Sequence, residues 1–123
     1  MIVYGDPGRE ESVDAMIQAL RDAVARALES VEATGSVDCD ALRRILVEAG
    51  ELEQAVFDAP SGKGSRGRER KLRALRSATS LAATAFHEAC DSPRGGAAAV
   101  ARVRASLARL RDALAALPRA EQT

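Results

Sequence analysis

Six branched apolar residues near the C-terminus, Val100, Val103, Leu107, Leu110, Leu114 and Leu117, follow one another at steps of three, four, three, four and three. Only a helix places all six on one face, and a heptad seam held over nearly three heptads has to be covered by other helices. The chain supplies three more segments with the same habit.

The first helix is expected over residues 10–33. Val13, Ile17, Leu20, Val24, Leu28 and Val31 form its apolar face, and Glu10, Glu11 and Asp14 lie toward the positive end of its dipole. Gly35, in Thr34-Gly35-Ser36, suits the left-handed residue that closes a helix. The second helix is expected over 38–59, capped by Ser36 or Asp38 and ended by Pro60. Its apolar positions are Leu42, Ile45, Leu46, Ala49, Leu52 and Val56, with Phe57 alongside. The register runs straight through Gly50, which costs about 1 kcal/mol relative to alanine inside a helix. A close crossing with another helix is the favoured reason for it, ahead of a break into two helices or room for a ligand.

The third helix is expected over 68–91, with Leu72, Leu75, Ala78, Thr79, Ala82, Phe86 and Ala89 facing inward. The fourth, over 97–117, carries the seam and stops at Pro118. The architecture that follows is all-α: an antiparallel four-helix bundle, with the helical hairpin of a swapped dimer as the alternative. Residues 1–9 read as a short extended N-terminal arm, because Ile2-Val3-Tyr4 favours strand and Asp6-Pro7-Gly8 favours a turn. Residues 10–117 read as a single domain, with a mobile linker over the Gly- and Ser-rich 60–67 and a frayed tail over 118–123.

The core of this domain has to be aliphatic. Apolar residues make up 46% of the chain but aromatic ones only 2%, namely Tyr4, Phe57 and Phe86. A stacking platform for nucleic-acid bases is therefore not available. Net charge is zero but divided: residues 1–62 hold 13 acids and 5 bases, residues 63–123 hold 5 acids and 13 bases. The simplest expectation is that acidic helices lie beside basic ones and the fields cancel. No stretch approaches a membrane span or a secretory signal, so no membrane partner is expected. Two cysteines in an otherwise staple-free chain point to a reducing, cytoplasmic setting. Arginine outnumbers lysine 16 to 2, a hint of a GC-rich bacterial genome rather than of function.

Three groups of residues are candidate sites. Cys39, near the start of the second helix, and His87 and Cys90, near the end of the third, are brought together by an antiparallel bundle. A disulfide, a thiol redox pair or a zinc site completed by Asp38, Asp40 or Asp91 is open to them. The simpler expectation is two packed, inert thiols, with no metal and no cofactor. The second group is the basic run Lys63, Arg66, Arg68, Arg70, Lys71, Arg73 and Arg76, opposed by Glu69 alone. Cations at a helix N-terminus oppose its dipole, so some contact is expected to offset them. The third group is the Ala-rich outer face of the fourth helix, represented by Ala101, Ala108 and Ala115, which suits a further helix. On that helix Ala99, Ser106 and Ala113 form a small flank for a close neighbour. Arg104 and Arg111 form a flank expected to meet Asp14, Asp22, Glu29 or Glu32 of the first helix.

Catalytic patterns are poorly represented. One histidine excludes the paired Glu-x-x-His motifs of a di-iron bundle. Lys63 is followed by Gly64 rather than by Ser or Thr, which departs from a Walker phosphate loop. The leading expectation is a small non-enzymatic interaction protein: an adaptor, assembly subunit or accessory factor. It would bind an acidic protein partner, or itself as a homo-oligomer, through Arg66, Arg70, Arg73 and Arg76 and through the alanine face. Nucleic-acid binding through 63–76 is the second reading, and a thiol or metal site at Cys39, His87 and Cys90 the third.

Overall fold

The computed structural model describes residues 6–58, 65–91 and 96–117. They form four helices: α1 (Asp6–Thr34), α2 (Cys39–Asp58), α3 (Ser65–Asp91) and α4 (Gly96–Ala115). Contacts join α1 to α2, α2 to α3, α3 to α4 and α4 back to α1, and among the described residues no diagonal pair touches. The helices thus stand in a square around one core, which is the expected all-α four-helix bundle.

Two contacts fix the register of α2 against α3. Cys39 meets Cys90, and Glu53 meets Arg76, so fourteen residues forward along α2 correspond to fourteen residues back along α3. The pair is antiparallel, and the step is two heptads. The contact of Glu88 on α3 with Arg102 on α4, close to either side of the chain reversal, gives the same sense for the next pair.

The heptad seam is the centre of the core. Val103, Leu107, Leu110 and Leu114 are all at most 1% exposed, whereas Val100 at its start is only half-buried. Leu20 and Val24, Leu42, Ile45, Ala49 and Leu52, and Leu75 and Ala82 complete the centre from the other three helices. Ala85 and Ser106 are buried too. The Ser106 hydroxyl donates to the Val103 carbonyl oxygen at 2.9 Å, so its burial leaves no polar atom stranded. Phe57 departs from the expected apolar face and is 65% exposed.

Helix ends follow local chemistry. Gly35 adopts a φ of 70°, and its N–H donates to the Val31 carbonyl at 2.8 Å, closing α1 as expected. Asp38, not Ser36, caps α2: its Oδ1 accepts from the N–H groups of Asp40 at 3.1 Å and Ala41 at 3.2 Å. Two boundaries correct the sequence reading. Residues 6–9 are not part of an extended arm but open α1. Pro7 falls in the first turn, where its missing N–H breaks no helical bond, and its fixed φ is already helical. Residues 65–67 belong to α3 rather than to a linker, Gly67 included. Of the expected arm, linker and tail, residues 1–5, 59–64 and 118–123 lie outside the described residues, as does Pro118.

Gly50 neither breaks α2 nor marks a close crossing. The helix is continuous through it, and an added Cβ would meet nothing within 4 Å. The small flank of α4 does face a neighbour. Ala99 and Ser106 are buried on the side of α4 that carries Arg102, whose Nε donates to Glu88 of α3 at 2.8 Å. The expected pairing of the other flank with α1 is not found. Arg111 donates to its own neighbour Asp112 at 3.3 Å, and Arg104 is exposed with no ion partner among the described residues. Both side chains lie where water already satisfies them, and a surface ion pair gains too little to fix them.

Candidate functional site

The side of the bundle made by α2 and α3 carries most of the chemistry. Going along it from the start of α2, Cys39 stands level with Cys90, Leu46 with Ala83, Gly50 with Thr79, Glu53 with Arg76 and Phe57 with Leu72. These pairs follow from the register set by the two contacts at its ends. The same three-four spacing that builds the core thus runs along the flank as well.

Cys39 and Cys90 form a disulfide with a Cα–Cα distance of 5.9 Å. This corrects the expectation of two inert thiols. Both side chains are half-buried, and the antiparallel register places their Cα atoms within the range a disulfide spans. His87 does not join them. It is exposed, and its Nδ1 lies 2.6 Å from an Asp91 carboxylate oxygen one turn further on. Asp91 also meets Arg43 of α2 at 3.9 Å, and Arg43 reaches Asp40 at 3.5 Å. Among the described residues no group of His, Cys, Asp and Glu has the arrangement of a metal site.

Further along, Glu53 is largely covered, and its carboxylate lies 3.4 Å from the Arg76 guanidinium. Burial raises the Glu53 pKa above the ordinary glutamate value, and the charge of Arg76 and the hydroxyl of Thr79 counter that only in part. The Arg76 guanidinium also lies 5.9 Å from the centre of the Phe57 ring, a cation–π distance. Phe57 nevertheless stays 65% exposed, and Val47, on the same side of α2, is 63% exposed. Gly50 leaves an open notch between them.

The basic run is split by this arrangement. Arg76 is engaged by Glu53 and Phe57. Arg70, Lys71 and Arg73 are exposed and have no ion partner among the described residues. Arg66 lies in the first turn of α3, and its side chain is outside the described residues, as are those of Lys63 and Arg68. On α4, Ala101 and Ala115 are exposed and Ala108 is half-buried, and Arg109 is exposed without an ion partner among the described residues.

Acidic helices do lie beside basic ones, α1 against α4 and α2 against α3, but few ion pairs join them. α1 holds seven acids against three bases and α2 five against two, whereas α3 holds six bases against three acids and α4 four against one. Each helix has one neighbour of its own sign and one of the other, so one half of the bundle is acidic and the other basic, and the two halves meet at α2/α3 and α1/α4. Among the described residues, only Glu53–Arg76 joins an acid of the first half to a base of the second. A groove of about 270 Å³ between α1 and α2, lined by Arg26, Ser30, Arg44, Asp38 and Glu48 over small apolar residues, has balanced charge and no buried polar group.

No family model, curated protein or solved structure matches the chain. The candidate surfaces therefore stand on their own geometry. Sequence reasoning brought Cys39 and Cys90 together and marked the basic run. It missed the exposure of Phe57 and the contact of Arg76 with Glu53. The fourteen-residue spacing of Cys39 to Glu53 and of Arg76 to Cys90 was the available signal for that contact.

Proposed function

We propose that this chain is a non-enzymatic helical interaction protein, and that the start of α3 is its docking surface for an acidic protein partner. The observation that carries this reading is the exposure of Arg70, Lys71 and Arg73 without ion partners among the described residues, close together near the start of α3. Cations left unpaired on the basic half of a bundle attract acidic surfaces over a distance and orient the encounter. Arg66 extends the same patch in sequence, and Arg76, held by Glu53, borders it. The alanines of α4, with Ala101 and Ala115 exposed, offer a second face where a helix can approach.

Nucleic acid is the second reading, because phosphates are held by the same residues. It is disfavoured by the aromatic inventory: Phe86 is buried, which leaves Phe57 as the one exposed ring among the described residues. The setting also changes. A cytoplasmic location rested on two separate thiols, and the Cys39–Cys90 bond withdraws that support. A permanent disulfide belongs to an oxidising compartment, and in a reducing cytosol the pair would exchange with the thiol pool.

The test is binding of poly-L-glutamate, and in parallel of single-stranded RNA, to the full chain and to the double variant Arg70→Glu with Arg73→Glu. Far-UV circular dichroism should be unchanged, because both residues are exposed. The account expects polyglutamate binding by the wild type and its loss in the variant. RNA binding without polyglutamate binding would transfer the site to nucleic acid. Binding unaffected by the variant would remove the α3 start from the function.

A further inference from the structure

We infer that the Cys39–Cys90 bond is a thiol–disulfide exchange site in the folded protein. Cys39 is the sulfur that takes up a small thiol as a mixed disulfide, and Cys90 is the sulfur that resolves it. The site is separate from the docking surface above, which lies at the other end of α3.

The bond is placed where it can be reached and opened. Cys39 is the first residue of α2 and Cys90 the last but one of α3. Both are half-buried rather than sealed in the core. The fold does not hang on the bond at this end. Leu42 and Phe86, within four residues of the two cysteines, are buried in the apolar core. Asp38 caps α2 through N–H groups that the bond does not use. After opening, the core and the Arg43–Asp91 contact still hold the start of α2 against the end of α3. The two thiols therefore stay side by side, and the bond can re-form within one chain.

The two sulfurs are not equivalent. A thiolate attacks a disulfide sulfur in line with the bond, from the side away from the sulfur that leaves. Cys90 packs against the core, whereas among the described residues Cys39 does not. Approach to the Cys90 sulfur is therefore obstructed by packed side chains. Approach to the Cys39 sulfur comes from the start of α2, where Asp38 and Asp40 are exposed. The helix ends agree: the positive end of α2 favours a thiolate on Cys39, and the negative end of α3 disfavours one on Cys90. The neighbouring charges act on both sulfurs alike. Asp38 and Asp40 flank Cys39, Asp91 follows Cys90, Arg43 reaches Asp40 and Asp91, and His87 reaches Asp91.

The steps balance. An external thiolate bonds to the Cys39 sulfur as the Cys39–Cys90 bond breaks, and Cys90 leaves as a thiolate that takes up a proton. A second external thiolate attacks the external sulfur of the mixed disulfide, and Cys39 leaves as a thiolate. Two external thiols end as their disulfide, and their two electrons reside on the two cysteines. In the reverse direction Cys39 attacks the external disulfide and Cys90 displaces the external thiol.

The experiment follows reduction of the native full chain by glutathione, with circular dichroism alongside. The rate should rise in proportion to the thiol concentration while helix content holds. Reduced wild type given substoichiometric iodoacetamide should carry the label on Cys39, located by peptide mass. Glutathione disulfide should then re-form the bond within one chain. Cys90→Ser should take up glutathione at Cys39 at least about tenfold faster than Cys39→Ser does at Cys90. Labelling of the wild type decides the order of the sulfurs if either variant fails to fold. A reduction rate that levels off as glutathione is raised would mean that the bond is reached only through unfolding, and would overturn the inference. Equal labelling of the two cysteines, or a preference for Cys90, would overturn it as well.

Discussion

The inner seam of α4 and the flank between α2 and α3 share one spacing and differ in everything else. Along α4, Val103, Leu107, Leu110 and Leu114 repeat at three and four residues and are shut off from water. Along the flank of α2, Cys39, Leu46, Gly50, Glu53 and Phe57 repeat the same way, and the contact is made by a cross-link, an ion pair and a ring under a guanidinium. Heptad spacing says which residues of two helices stand level. It does not say whether water is excluded, and that depends on what the residues are. The α4 seam is held by apolar burial. The flank is held at one end by a covalent bond and left open in the middle.

Substitutions should separate the two. The largest effect is expected from Leu107→Asp, which puts an unpaired carboxylate where no water reaches. It should cost more than about 4 kcal/mol and abolish the cooperative melt followed by circular dichroism. Next comes removal of the cross-link. Cys39 and Cys90 are 51 residues apart, so replacing both with serine frees a long loop in the unfolded chain. That should cost about 4 kcal/mol and lower the melting temperature by roughly 15 °C, with helix content retained at low temperature. Gly50→Ala is expected to act in the other direction. The new methyl meets nothing, so the gain in helix propensity, about 1 kcal/mol, should appear as a higher urea midpoint. A loss of stability there would mean that the notch is tighter than described.

The smallest effect is electrostatic. Because burial raises the Glu53 pKa, the folded chain holds that proton more tightly than the unfolded one does. Its contribution to stability is therefore present at low pH and is lost as pH rises through the raised value. Glu53→Gln lacks the titration and should gain on the wild type between about pH 4 and pH 7 in thermal melts. A constant difference across that range would place the Glu53 carboxyl in ordinary water.

The same contrast explains what was legible in the sequence. Branched residues at helical spacing locate a dry seam directly, so the four helices and their core positions could be read from Ile17, Leu42, Leu75, Leu107 and their neighbours. The beginning of α1 could not, because Asp6-Pro7-Gly8 suits a turn as well as a first helical turn, and only the helix that follows decides between them. The flank was half legible. Its ends were visible as Cys39 and Cys90, but whether two thiols bond depends on how their Cα atoms approach, which spacing alone does not set. Arg76 read as one more outward cation, because its partner Glu53 lies on another helix, 23 residues away in sequence.

The most direct test of this account is whether the flank is cross-linked, since the contrast between the two seams depends on it. Denatured protein should be alkylated with and without prior reduction, and its mass measured. The account predicts no alkyl groups on the unreduced chain and two after reduction, with a large drop in melting temperature on reduction of the native protein. Two alkyl groups on the unreduced chain would contradict it, and would leave the α2/α3 flank without its covalent bond, with Glu53–Arg76 and Arg43–Asp91 as its ion pairs among the described residues.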